Sequence, residues 1–304
     1  MKKDFISIHD RTPAEIAELL DLADGIKKDR ARYRSALAGK TLAMIFEKSS
    51  TRTRVSFEAG MYQLGGIGMF LSSRDLQIGR GEPIADTARV LSRYVDGIMA
   101  RTFAHETVTE LARHATVPVI NGLTDRLHPC QVMADLQTIR EVFGELAGRK
   151  LAYVGDGNNM AHSLMFGGAK TGMSVAVASP EGYEPKEEIV ASARRDAEET
   201  GASITTTHDP AEAVAGAHVV YTDVWASMGQ EDEARVRREK FAGFTVTESL
   251  MAKAARDAIF LHCLPAHRGE EVEAAVADGP RSRIFDEAEN RLHAQKAILV
   301  SLMA

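Results

Sequence analysis

Cysteine is nearly absent: Cys130 and Cys263 are the only two in 304 residues, too few for a disulfide framework and in keeping with a reducing cytoplasm. No apolar run reaches the length of a membrane span, and residues 1–10 carry two lysines without the apolar core of a signal peptide, so neither insertion nor export is expected. Basic charge is also short. With 37 Lys and Arg against 43 Asp and Glu the formal net charge is −6, a poor match for a phosphate backbone, which argues against nucleic acid as a partner. The two basic spots, residues 27–34 and 235–240, read as solvated helix faces. His105, His114, His208 and His218 lack metal-ligand spacing, so no metal centre is expected. Low-complexity tracts and motif-length repeats are missing as well.

What is present fits a soluble enzyme-sized chain. Apolar residues at 44% and charged residues at 26% sit near globular averages, and the length suits two domains with separate cores. Thr12-Pro13-Ala14-Glu15 is a capping box with proline in the first turn, and it opens a helix expected to run to about residue 28. Short buried strands are expected at 41–46, 67–71, 95–100 and 117–120, separated by helical stretches. A long helix then opens at Pro129 and carries Val132, Leu136, Ile139, Val142 and Phe143. A second series follows, with strands expected at 150–155, 174–178, 203–206, 218–222, 244–246 and 258–263. Such alternation predicts α/β architecture: two open parallel-sheet α/β domains joined by long helices, with the active site in the cleft between them. The expected domains are 1–143 and 144–286, with a helix over 287–304 packing back onto the first.

The stretch from Phe46 to Glu58 has its charges the wrong way round. A helix start favours acidic residues because the helix dipole is positive there, yet Arg52 and Arg54 stand in this first turn beside Ser50, Thr51 and Thr53. Free backbone N–H groups, three hydroxyls and a guanidinium at a strand-to-helix turn suit a cluster of phosphate or carboxylate oxygens. The plainer alternative makes Ser50 an N-cap and pairs Arg54 with Glu58 one turn on. Two further polar groups follow apolar strands in the same half: Arg101-Thr102, and His128-Pro129-Cys130-Gln131.

Ser50-Thr51-Arg52-Thr53-Arg54 resembles the carbamoyl-phosphate motif of the aspartate/ornithine carbamoyltransferase family, and four more motifs resemble that family in order along the chain. Gly155-Asp156-Gly157-Asn158-Asn159 is similar to the Gly-Asp-x-Asn-Asn turn of the ornithine branch, which implies that Asn159 contacts an amino acid. A dinucleotide fingerprint is the competing interpretation, but it fails at Met160, where a third glycine belongs. Asn158 and Asn159 could also be turn residues alone. Asp223, Ser227 and Met228, in Asp223-Val224-Trp225-Ala226-Ser227-Met228-Gly229, resemble the ornithine-binding loop, with Asp223 implied as partner of the substrate α-ammonium. The plainer alternative makes Asp223 only a helix or turn cap. His262-Cys263-Leu264-Pro265 resembles the His-Cys-Leu-Pro signature of the same branch, where a lone cysteine would otherwise read as inert core.

The resemblance implies transfer of a carbamoyl group from carbamoyl phosphate to the δ-amine of L-ornithine, in the setting of arginine biosynthesis or of arginine breakdown, both of which use one site, without metal or organic cofactor. It implies Ser50, Thr51, Arg52 and Thr53 on the phosphate, Arg101, His128 and Gln131 on the carbamoyl group, and Asn159, Asp223, Ser227 and Met228 on ornithine. Arg101, His128 and Cys263 are the implied catalytic residues. Pro129, Cys130, Cys263 and Leu264 complete the implied carbamoyl-phosphate contacts, with Gln77 reaching a neighbouring subunit's site and Arg291 returning to its own. A homotrimer, or a higher assembly of trimers, is the implied state. A carbamoyltransferase acting on another amine such as putrescine, and a catalytically silent binding subunit on the same fold, remain open alternatives at this point.

Overall fold

The computed structural model describes residues 3–226 and 233–304, so Ser227 and Met228 lie outside the described residues. The chain divides into two compact units, 1–137 with 289–304 and 138–288.

In the first unit the elements run α1 (Pro13–Lys28), β1 (Thr41–Phe46), α2 (Thr51–Gln63), β2 (Ile67–Ser72), a 3-10 turn (Gln77–Arg80), α3 (Ile84–Leu91), β3 (Gly97–Arg101), α4 (His105–His114) and β4 (Val119–Leu123). Helix α5 (Pro129–Phe143) starts here and crosses the unit boundary. The four strands are parallel in the order β2-β1-β3-β4. The capping box at α1 forms, with Thr12 Oγ1 accepting from the Glu15 N–H and Glu15 accepting from the Thr12 N–H. The β1 side chains fill the core from Leu42 to Phe46, as a central strand buried on both faces requires.

Strand β2 corrects the expectation of a buried strand: Ile67 is 65% exposed and Met69 46%, because the strand order puts β2 at the sheet edge. Val55 and Tyr62 on α2 are exposed as well, at 54% and 82%.

The second unit holds β5 (Lys150–Val154), α6 (Asn159–Thr171), β6 (Ser174–Ala178), α7 (Glu187–Glu198), β7 (Ile204–Thr207), α8 (Pro210–Val214), β8 (Val219–Thr222), α9 (Ala234–Lys240), α10 (Glu248–Met251), β9 (Ile259–His262), α11 (Ala274–Ala277) and the start of α12 (Ile284–Met303). Its five strands are parallel, in the order β7-β6-β5-β8-β9. Order reverses beside β5, so the turns after β5 and β8 flank a topological switch point, the place where open parallel sheets gather ligands.

Residues 244–246, expected as a strand, form only an isolated bridge from Val246 to Val272. The basic spot 27–34 is not one helix face, since α1 ends at Lys28 and turns follow. Among the described residues no helix is long and apolar enough to cross a membrane.

Candidate active site

In the first unit, the turn after β1 carries Ser50 as N-cap of α2: its Oγ accepts from the Thr53 N–H at 3.1 Å and donates to Thr53 Oγ1 at 3.1 Å. The first turn of α2 has no acidic residue, as the sequence indicates. Thr53 is buried and becomes the meeting point of two distant arginines. Arg101, at the end of β3, donates to Thr53 Oγ1 at 3.4 Å, and Arg291, on α12, donates to the same oxygen at 3.1 Å. Arg291 also donates to Gln131 Oε1 at 2.6 Å, whose amide in turn donates to Asp135 at 2.8 Å on the next turn of α5.

His128 is buried just before α5, and its imidazole pKa is driven well below the usual value, first by burial and then by Arg291, Arg101 and Arg52. A neutral imidazole therefore sits in the field of three guanidiniums, which is the electrostatics of a pocket for an anion. Pro129 takes the first position of α5. Cys130 donates from Sγ to the Asn121 carbonyl at 3.3 Å, and burial pushes its thiol up to about 12, so it stays protonated.

Thr51 opens α2 at the surface and Arg52 beside it is half-buried, whereas Gln77 is an exposed residue of the 3-10 turn and makes none of these contacts. Arg54 pairs with Glu58 at 3.3 Å on the helix surface, the plainer arrangement for that residue.

Sequence reasoning gave Lys48 no role. It is buried, pairs with Asp125 and lies 4.5 Å from the centre of the Phe103 ring, while Glu47 accepts from the Phe103 N–H at 3.0 Å. These contacts tie together the loops leaving β1, β3 and β4.

In the second unit, three strand ends supply the polar groups. After β5, Gly157 packs so tightly that an added Cβ would lie 2.1 Å from Pro185 N, so only glycine fits. Asn158 caps α6, its Oδ1 accepting from the N–H groups of Met160 at 2.9 Å and Ala161 at 3.4 Å. Its Nδ2 donates to Asp223 Oδ2 at 3.2 Å. Asn159 is the first residue of α6 and is half-buried.

After β8, Asp223 is buried, and its Oδ1 accepts from the Val224 N–H at 2.8 Å and from Cys263 Sγ at 3.0 Å. The carboxylate thus joins Asn158 and Cys263 from strand ends remote in sequence. After β9, His262 Nδ1 accepts from the Leu264 N–H at 2.9 Å, which leaves the ring proton on Nε2 to donate to Glu271 Oε1 at 3.2 Å. Leu264, at φ +60, turns the chain directly past Cys263.

Arg237 overturns the solvated-face interpretation of residues 235–240. It is buried, donating from Nη1 to Asp156 Oδ2 at 2.7 Å and to the Trp225 carbonyl at 2.8 Å, and from Nε to Glu233 at 3.0 Å. Burial pushes the Asp156 carboxyl up to about 6, with Arg237 pulling against it.

Among the described residues, two groups have donor types and spacing a metal could use. Asp223, His262 and Cys263 place one ligand atom each within 4.8 Å of one another, as do His267, Glu270 and Glu271. In both, the donors are already committed: Cys263 to Asp223, His262 between Leu264 and Glu271, and Glu270 to Arg238 at 2.9 Å.

Residues 3–141 match the carbamoyl-P binding domain of aspartate/ornithine carbamoyltransferase, and residues 147–302 match its Asp/Orn binding domain. The chain is 65% identical over 304 residues to an ornithine carbamoyltransferase of Anoxybacillus flavithermus, covering 99% of this chain and 96% of that one. It is 62% identical to another from Oceanobacillus iheyensis, covering 99% and 94%. An ornithine carbamoyltransferase structure from Pyrococcus furiosus superposes with a TM-score of 0.96 at 55% identity, covering 99% of this chain and 97% of that one.

Proposed function

The chain belongs to the aspartate/ornithine carbamoyltransferase family, and from that premise we propose that it transfers the carbamoyl group of carbamoyl phosphate to the δ-amine of L-ornithine, giving L-citrulline and phosphate. The observation that carries the choice of amine is Asp223. It is a buried carboxylate with its two oxygens held by a thiol, a backbone N–H and an amide, arranged to meet an ammonium and not a second carboxylate. The full-length identity to ornithine carbamoyltransferases supports the same reading. Putrescine would present no α-ammonium to Asp223, and a silent binding subunit would have no need of Arg52, Arg101, His128 and Cys263 together.

The reaction is attack of a neutral amine on a carbonyl carbon with phosphate leaving, and that chemistry asks for no metal or organic cofactor. Ser50, Thr51, Arg52 and Thr53 take the phosphate, with its N–H contacts supplied by the start of α2. Arg101, neutral His128 and Gln131 polarise the carbamoyl oxygen and meet the charge that develops there, and Arg291 holds Gln131 and Thr53 in place for both tasks. Pro129 and Cys130, next to His128 at the start of α5, are assigned to carbamoyl phosphate as well. Asn159, Asp223, Ser227 and Met228 take the amino-acid end of ornithine. Cys263 and Leu264 are assigned to the δ-amine and carbamoyl carbon. An alkylamine titrates near ~10.4, so capture of the neutral form sets the alkaline side of the pH profile.

The working state is a homotrimer, or an assembly of trimers, in the cytoplasm. The apolar edge of β2 with Val55 and Tyr62 supports this, since a second copy would cover a face that single chains seldom leave bare. Gln77 is assigned to the neighbouring subunit's phosphate site. Sedimentation is expected to give three times the 33.1 kDa chain mass or a multiple of it. A colorimetric citrulline assay with ornithine, putrescine and aspartate offered in turn tests the activity: turnover with ornithine alone is expected, and preference for either rival would refute the assignment.

A further inference from the structure

Asn158 has no assigned ligand contact, yet its Nδ2 donates to Asp223 Oδ2 at 3.2 Å. The orientation of its amide is settled by the fold. Its oxygen accepts from two backbone donors at the start of α6 and from a third, the Tyr153 hydroxyl at 3.3 Å, so the NH2 end has to face Asp223. Tyr153 lies on β5, is fully buried, and stacks on Tyr221 with ring centres 6.0 Å apart, which fixes the hydroxyl. Burial first, and then the negative field of Asp223, Asp156 and Glu271, keeps the phenol well above its ordinary range and hence a proton donor. Donation to an amide oxygen polarises the amide and strengthens what its N–H gives away. Tyr153, Asn158 and Asp223 therefore form one directed chain of hydrogen bonds.

We propose that Asn158, backed by the Tyr153 hydroxyl, is a positioning residue for ornithine: it fixes the rotation of the Asp223 carboxylate so that the remaining lone pairs point at the substrate α-ammonium. The inference rests on the ornithine reading given above. It makes the two asparagines of the turn divide the work, Asn159 toward the ligand and Asn158 toward the carboxylate that meets it.

Asn158→Ser keeps a helix-capping oxygen but has no amide to bridge to Asp223, and it is expected to raise KM for ornithine about ten-fold with KM for carbamoyl phosphate unchanged. Tyr153→Phe removes one hydroxyl and is expected to raise the same constant about five-fold. In the double variant the Phe substitution adds nothing, because Tyr153 acts only through Asn158. An unchanged ornithine KM in Asn158→Ser overturns the inference, as does a double variant in which the two effects multiply. If Tyr153→Phe does not fold, the Asn158→Ser result decides alone. Parent enzyme that makes no citrulline from ornithine would instead sink the functional reading. Parent that does, with indifferent variants, would sink only this inference.

Discussion

Arg237→Met is the most informative single perturbation of the second unit. The guanidinium is buried, and its loss leaves the Asp156 carboxylate buried without the cation that stabilises it. Removing one partner of a buried ion pair costs about 3–5 kcal/mol at a pH where the carboxylate is ionised. For a unit of this size each kcal/mol moves the melting temperature by roughly 2–4 °C, so a fall of roughly 6–20 °C is expected near pH 8.

The pH dependence gives the cause. In the parent the Asp156 pKa is raised from 3.8 to about 6, so its contribution to stability is fully present below the unfolded value and lost as pH rises through about 6. Without Arg237 that folded pKa rises further, so the loss starts from the same unfolded value but continues to higher pH. The gap between variant and parent therefore narrows as pH falls from about 8 toward about 6 and Asp156 of the variant takes up its proton, and it is flat below that. What remains at low pH reflects the bonds lost to the Trp225 carbonyl and Glu233. Asp156→Asn in the Met background mimics the protonated acid and is expected to recover most of the loss near pH 8. Thermal melts at fixed protein concentration, from about pH 5 to about pH 8, read all of this. Equal deficits at both ends of the range, or no recovery from Asp156→Asn, would show that the pair is not what Arg237 contributes.

Three further outcomes are expected. Arg52→Ala should bind carbamoyl phosphate at least ten-fold more weakly in calorimetry, since a charge-assisted contact to a dianion is worth about 1.5–3 kcal/mol, and parent-like binding would remove the phosphate assignment of the β1–α2 turn. Cys263→Ser should keep measurable turnover, because the amine itself is the attacking atom, and a carbamoyl adduct trapped on Cys263 in quenched enzyme would contradict that. Asp223→Asn should raise the ornithine requirement by a factor of ten or more with carbamoyl phosphate binding nearly unchanged, and equal loss of both ligands in paired titrations would overturn the division of labour between the two units.

Local sequence was a good guide wherever the decisive neighbours were also local. The strand at 41–46 and the strand at 174–178 were legible to the residue because each is an uninterrupted apolar run between breakers, and the Thr12 cap because its partner Glu15 is three residues away. Strand β2 has the same apolar composition, but whether such a strand is buried depends on strand order, which no local pattern carries. Residues 244–246 have strand-like composition and fail to become a strand because their one partner, Val272, gives a single bridge. Arg237 was hidden among surface charges because what buries it is Asp156, 81 residues earlier. In the site, the family resemblance pointed to Arg101, His128, Arg291 and Asp223, yet the contacts that join Arg101 and Arg291 at Thr53, and Arg291 to Gln131, exist only once the chain has folded. The signal that could have raised Asn158 was its adjacency to Asn159: two asparagines in one turn is one more than capping a helix requires.

Thr53 accepts from a guanidinium 238 residues further along the chain, and that separation has a consequence for how the molecule is made. Synthesis runs from the N-terminus, so a ribosome that has finished the four strands of the first unit has still to emit all of the second before Arg291 exists. Until then Thr53 lacks that donor and Gln131 lacks its tether. On the assignment proposed above, a chain that terminates early would hold carbamoyl phosphate less strongly, and full binding is expected only with the last helix in place.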